Sequence, residues 1–175
     1  MTKAETTREE WRAQLAAAPS RRSQPGVSTV ETIRSMSGLD FLRAIADGSL
    51  PHPPIADPLN FYLMEVTKGH AVFMGEPRHE FYNPIGSVHG GWASTLLDSC
   101  MACAVQSTLP VGQGYTTLEL KVNLVRPITE KTGPIRAEGR SLYVGRRSGT
   151  AEGKITDAGG ALLAHGTTTC MIFPL

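Results

Sequence analysis

The chain has 175 residues, 41% hydrophobic and 19% charged, with a formal net charge of +1. That is the size of one domain around one core, with no basic footprint for a nucleic acid and no apolar run near the ~20 residues that span a bilayer. Arg21-Arg22 is followed by polar SQPGVSTV rather than an apolar segment, which argues against a twin-arginine export signal. The 3 cysteines form no disulfide framework, so a reducing, cytoplasmic setting is expected.

Residues 1–60 read as an extension with short helices. The run REEWRAQLAAA can form a helix that PSRRSQPGVSTV breaks, and residues 1 to 35 are expected to be mobile or to dock on a partner. Ser37 is placed to cap GLDFLRAIADG, whose Leu39, Leu42, Ile45 and Ala46 form an apolar stripe closed by Gly48. Proline-rich LPHPPIADP then leads into a main domain over residues 61–175.

From Phe61 the hydrophobic period changes. FYLMEVTKGHAVFMGEP reads as two strands joined at Lys68-Gly69-His70. Further on, YTTLELKVNLVRP alternates Leu118, Leu120, Val122 and Leu124 with polar residues, which predicts a strand burying that face. PIRAEGRSLYVG and SGTAEGKITD continue the β pattern, and DAGG turns into a last strand, ALLAHGTTTCMIF. One helix interrupts these strands. The fold class implied is α+β, an antiparallel sheet wrapped around a long central helix.

That helix follows NPIGSVHGGWASTLLD. If it begins near His89, then Ala93, Leu96, Leu97, Cys100 and Ala104 make a stripe for the sheet. Asp98 lies off the stripe, on the side of Gly91 and Ser94, and it is the one formally charged residue from Phe81 through Leu118. Such an acid is either a solvated or Ser/Thr-bonded helix residue or a working carboxylate. Asn83-Pro84 and Gly86 signal a turn that delivers the chain to His89-Gly90-Gly91. N–H groups at a helix start suit an anion or a developing oxyanion, and glycine lets a carbonyl approach the backbone. His89 itself can be a capping residue.

Other motifs carry less. Cys100-Met-Ala-Cys103 has no second pair, so it reads as small buried helix residues rather than a metal or redox site. His52, His70, His79 and His165 lack metal-ligand spacing and read as surface or turn residues. No GxSxG elbow is present. Arg126-Pro127 can simply end a strand. In VGRRSG, Arg146, Arg147, Ser148 and the backbone to Gly149 either form a solvated hairpin tip or meet the phosphates of a nucleotide-bearing substrate.

Taken together, Asn83-Pro-Ile-Gly86-x-x-His89-Gly90-Gly91, Asp98 and TTLELKVNLVRP resemble the PaaI-like branch of the hotdog-fold acyl-CoA thioesterases, from about Phe61 to Phe173. The resemblance implies a dimer pairing two sheets and hydrolysis of an acyl-CoA thioester with no cofactor or metal. Asp98 would be nucleophile or general base, and the Gly90 N–H would polarise the thioester carbonyl. Asn83 would orient water or carbonyl, His89 would support the turn, Thr117 would stand near the attacking water, and Gly91 would lie against the substrate. Trp92 departs from the pattern, since many relatives carry a smaller residue after HGG. Rival readings are a hotdog hydratase or dehydratase using His89 with Asp98, and a non-catalytic acyl-CoA-binding module. Gly90 and Asp98 stand ~12 Å apart on a helix rising 1.5 Å per residue, so one chain cannot bring both to one carbonyl. A homodimer or dimer of dimers with sites across the dimer interface is therefore expected, with an acyl-CoA as the small-molecule partner.

Overall fold

The computed structural model describes residues 2–175. Its strands are β1 (Phe61–Thr67), β2 (His70–Gly75), β3 (Gln113–Leu124), β4 (Ile135–Val144), β5 (Ser148–Asp157) and β6 (Leu162–Pro174). They form one sheet in the order β1-β2-β4-β5-β6-β3, every neighbouring pair antiparallel. The helices are α1 (Lys3–Ala17), α2 (Val30–Ser35), α3 (Gly38–Ala46) and α4 (Gly90–Gln106). The sheet curls around α4, which touches all six strands. This is the expected α+β architecture. Among the described residues, no helix is long and apolar enough to cross a membrane.

A row of glycines lets the helix lie so close. Gly139 on β4 pairs with Gly153 on β5, and Gly153 pairs with Gly166 on β6. A Cβ at Gly139 would sit 2.2 Å from the Cys100 carbonyl oxygen, and one at Gly153 would sit 2.7 Å from Met101 Cγ. Side chains there would push α4 out of the sheet's concavity, so the sequence leaves the row empty and fills it with the helix itself. The predicted stripe Ala93, Leu96, Leu97, Cys100 and Ala104 is fully inside. Burying Leu96 and Leu97 alone contributes roughly 3–6 kcal/mol of transfer free energy.

Turn chemistry matches the sequence at both hairpins. Gly69 takes φ +78 between β1 and β2, and Gly160 takes φ +83 between β5 and β6. There the Asp157 carboxylate accepts the N–H groups of Gly159 and Ala161, each at 2.9 Å.

Two expectations need correction. Residues 2–35 do not stand apart: Arg12 reaches Glu76 at 2.9 Å, Leu15 and Ala18 are buried, and α1 carries a capping box between Thr2 and Glu5. The extension thus lies on its own domain, because its few apolar residues find surface there. On β3, the face carrying Leu118, Leu120 and Leu124 is not buried: these side chains are 62%, 36% and 58% exposed. A bulge between Thr117 and Glu119 shifts the register, so Thr117 and Tyr115 share the inner face with Leu120, Val122 and Leu124 while Leu118 leaves it. β3 is also a sheet edge, with only β6 beside it.

Candidate active site

The start of α4 is fixed from its own loop. His89 is the N-cap, and its Nδ1 accepts the Gly91 N–H at 2.8 Å. That bond uses the Gly91 N–H, while Gly91 itself stays exposed on the helix. The Gly90 N–H has no partner among the described residues. It remains the open donor at the positive end of the helix. A Cβ on Gly90 would meet Leu124 Cδ1 at 2.6 Å, the end of an exposed side chain on β3.

Asn83 is more occupied than its expected role requires. Its Oδ1 accepts from Ile85 N–H at 3.1 Å and Ser87 N–H at 3.2 Å, and its Nδ2 donates to Ser87 Oγ at 3.0 Å. With Gly86 at φ +90, this ties the loop into one shape. One Nδ2–H is left over for a ligand. Asn83, Ser87, Gly90 and Arg126 face a common cleft of about 250 Å3. The cleft does not include Asp98.

Asp98 sits half-buried two helical turns further along. Thr117 Oγ1 donates to its Oδ1 at 2.9 Å, so the bulged strand supplies the partner that the sequence placed near it. Ser94 and Thr95 turn back to the Gly90 and Gly91 carbonyls, both at 2.9 Å, which keeps this helix face low and open. Around the carboxylate stand Cys103, Tyr115 and Cys170. Burial pushes the Cys103 thiol up to about 12, with the Asp98 charge adding to it. Burial likewise raises Tyr115 well above the phenol range, with Cys103, Cys170 and Asp98 contributing, and burial and the Asp98 charge raise Cys170. These thiols stay protonated and are poor nucleophiles. Sequence reasoning missed Tyr115, although strand alternation with Thr117 places it on the same inner face.

The remaining expected residues separate. Arg146 and Arg147 project at the β4–β5 turn beside a groove of about 740 Å3 that also takes in Leu118 and Met171. Ser148 is exposed there. Gly149 is buried, and a Cβ on it would meet Val105 at 2.7 Å, so it serves packing and not ligand contact. Trp92 is part of the core: it is 3% exposed, stacks on Phe81 and donates its indole N–H to the Leu59 carbonyl at 2.8 Å. His52 is not a surface residue either; it is buried, between Asp57 at 2.9 Å and the Ser23 carbonyl at 2.8 Å. His70 pairs with Glu138 at 3.0 Å and His79 stacks on Tyr82. Among the described residues no group of three His, Cys, Asp or Glu is placed to share a metal ion.

The chain is 30% identical to a solved structure from Ralstonia eutropha JMP134, a candidate thioesterase related to phenylacetic acid degradation, with 78% of this chain and 99% of that one covered at a TM-score of 0.67. The chain belongs to the hotdog-fold thioesterase superfamily, in its PaaI-like branch. The family model described as the thioesterase superfamily matches residues 85–164, which holds the cap His89, Gly90, Asp98 and Thr117. A Streptococcus mutans UA159 protein solved bound to acetyl-CoA is 25% identical, with 66% of this chain and 90% of that one covered and a TM-score of 0.60. A candidate esterase of Halobacterium salinarum is 39% identical over 69 residues, 38% of this chain; the match spans 44% of that relative's length.

Proposed function

We propose that this protein hydrolyses acyl-CoA thioesters to the free acid and CoA, with Asp98 as the catalytic carboxylate. The observation that carries the reading is the isolated Asp98 carboxylate, on an open face of small residues and held by one hydroxyl donor, Thr117. A thioester needs an oxygen nucleophile and a stabiliser for the oxyanion it creates. Asp98 either accepts a proton from the attacking water or attacks the carbonyl itself, and the Gly90 N–H receives the developing negative charge. The C–S bond then breaks and CoA leaves as its thiol.

The two halves lie too far apart to act within one chain. Both are on α4, and eight residues at 1.5 Å put them ~12 Å apart, where attack needs groups within ~3 Å. Two chains with antiparallel α4 helices would bring the Gly90 end of one beside Asp98 of the other. The edge position of β3 and its exposed Leu118, Leu120 and Leu124 favour this dimer, because such an edge is costly to leave bare. Arg146, Arg147 and Ser148 then offer charge and hydrogen bonds to the CoA phosphates, in line with the acetyl-CoA held by the Streptococcus mutans relative.

The hydratase reading is weaker here, because His89 Nδ1 is committed to the helix cap. An assay of free thiol release across a panel of acyl-CoAs tests the proposal. Thiol release that tracks enzyme concentration is expected; hydration of an unsaturated acyl-CoA without thiol release, or binding without turnover, would contradict it.

A further inference from the structure

Under the N-terminal extension lies a cavity of about 90 Å3, walled by Leu42, Ile45, Phe61 and Phe73, with Cys103 of α4 on its lining. Its roof is built into place. Arg22 bonds Asp57 at 3.0 Å and lies over the Tyr62 ring at 4.4 Å, and the buried His52 joins Asp57 to the Ser23 carbonyl. The Gly38 N–H bonds the Leu109 carbonyl at 3.0 Å, and a Cβ on Gly38 would overlap the Gln106 carbonyl oxygen, so α3 is seated directly against the end of α4. The walls from α3 and β1 lie before residue 85, outside the segment that the family model matches.

This cavity and Asp98 share one helix. Cys103 is close enough for the Asp98 charge and the Tyr115 hydroxyl to act on its thiol. Between Asp98 and Cys103 the face carries Ser99 and Ala102, both small. Five residues of helix rise ~7.5 Å. An extended alkyl chain of ~1.5 Å bonds advances ~1.3 Å per carbon, so about six carbons lead from a carbonyl at Asp98 to the level of Cys103. The cavity then has room for a few carbons more. Of the two arginines on its lining, Arg22 is matched by Asp57 and Arg21 is exposed, so the apolar walls and not a buried charge define what fits.

We infer that the extension-roofed cavity is the site for the far end of the acyl chain, and that it selects straight-chain acyl groups of about eight to twelve carbons. The inference rests on the proposed thioesterase reading for the position of the carbonyl. The extension is then part of the substrate site: α3 sets the depth available to the chain, and the Arg22–Asp57–His52 cluster holds that depth constant.

The test fills the cavity from its α3 wall with Ala46→Phe, with Ile45→Phe as the second variant should the first fail to fold by circular dichroism. Two quantities are read in wild type and variant: the ratio of kcat/KM for decanoyl-CoA to that for acetyl-CoA, and the ratio of affinities for the non-hydrolysable thioethers S-decyl-CoA and S-ethyl-CoA by calorimetry. Each ratio should fall by at least ~10-fold in the folded variant, the order that a methylene or two commands in an apolar pocket. Ratios unchanged within about twofold in a folded variant would overturn the inference. Loss of the S-decyl preference in a protein that releases no thiol from any acyl-CoA would leave the cavity assignment standing and remove the hydrolase reading instead.

Discussion

β5 and β3 are the two neighbours of β6, and their apolar positions meet opposite surroundings. On β5, Gly149, Ala151, Gly153 and Ile155 are buried against α4, so alternation is satisfied within one chain. On β3 the alternating leucines stay exposed, one side of the strand pairs with nothing, and yet this strand supplies Thr117 to Asp98. A strand finished by its own helix is structural. In the reading proposed above, a strand left unfinished beside the Asp98 carboxylate is where a second copy of the chain should complete both the sheet edge and the site.

The largest effect is expected at Asp98. Asp98→Asn is nearly isosteric and can still take the Thr117 hydroxyl on its carbonyl oxygen, so the fold and CoA binding should survive while kcat falls by at least ~10². Turnover near wild type in the folded variant would return Asp98 to a plain helix acid.

The contrast between strands predicts a split in stability. Gly153→Ala on β5 places a Cβ 2.7 Å from Met101 Cγ and should cost about 1–3 kcal/mol in urea unfolding. Leu118→Asp on β3 should move the unfolding free energy of the isolated chain by no more than about 0.5 kcal/mol while lowering its dimer fraction in sedimentation. A Leu118 variant as destabilised as the glycine variant would mean that β3 is already completed within the chain.

The smallest effect is expected at the β4–β5 turn. Arg146→Ala with Arg147→Ala should raise KM for acyl-CoA several-fold and leave a short thioester lacking the nucleotide unaffected, since exposed charges each contribute about 1 kcal/mol or less. An unchanged KM for the CoA substrate would make the pair a solvated hairpin tip.

Much of this was legible in the sequence, and the exceptions share a cause. Periodicity found β1, β2, β4 and β5, the cap at His89 and the stripe on α4, because those residues answer to local geometry or to one buried face. The family resemblance set Thr117 beside the attacking water, and the structure shows its hydroxyl on Asp98. The bulge at Leu118 was not legible, since one unpaired residue leaves the alternation of the surrounding sequence intact while turning Leu118 off the face that Leu120, Val122 and Leu124 keep. Gly149 looked like a ligand-binding glycine, and the structure buries it against Val105. A glycine in a motif does not say which neighbour required it. The extension-roofed cavity lay beyond sequence reading altogether, because its walls come from α3, β1, β2 and α4, and only their packing creates it.

The claim that the site is shared between two chains is tested most directly by mixing. Asp98→Asn chains and Asn83→Ala chains, each nearly inactive alone, are unfolded together, refolded and assayed. With random pairing half the dimers are mixed, and each mixed dimer holds one intact site of two, so activity should recover to roughly a quarter of wild type. A mixture as inactive as its parents, in which mixed dimers are shown to form, would place the whole site within one chain and contradict the account.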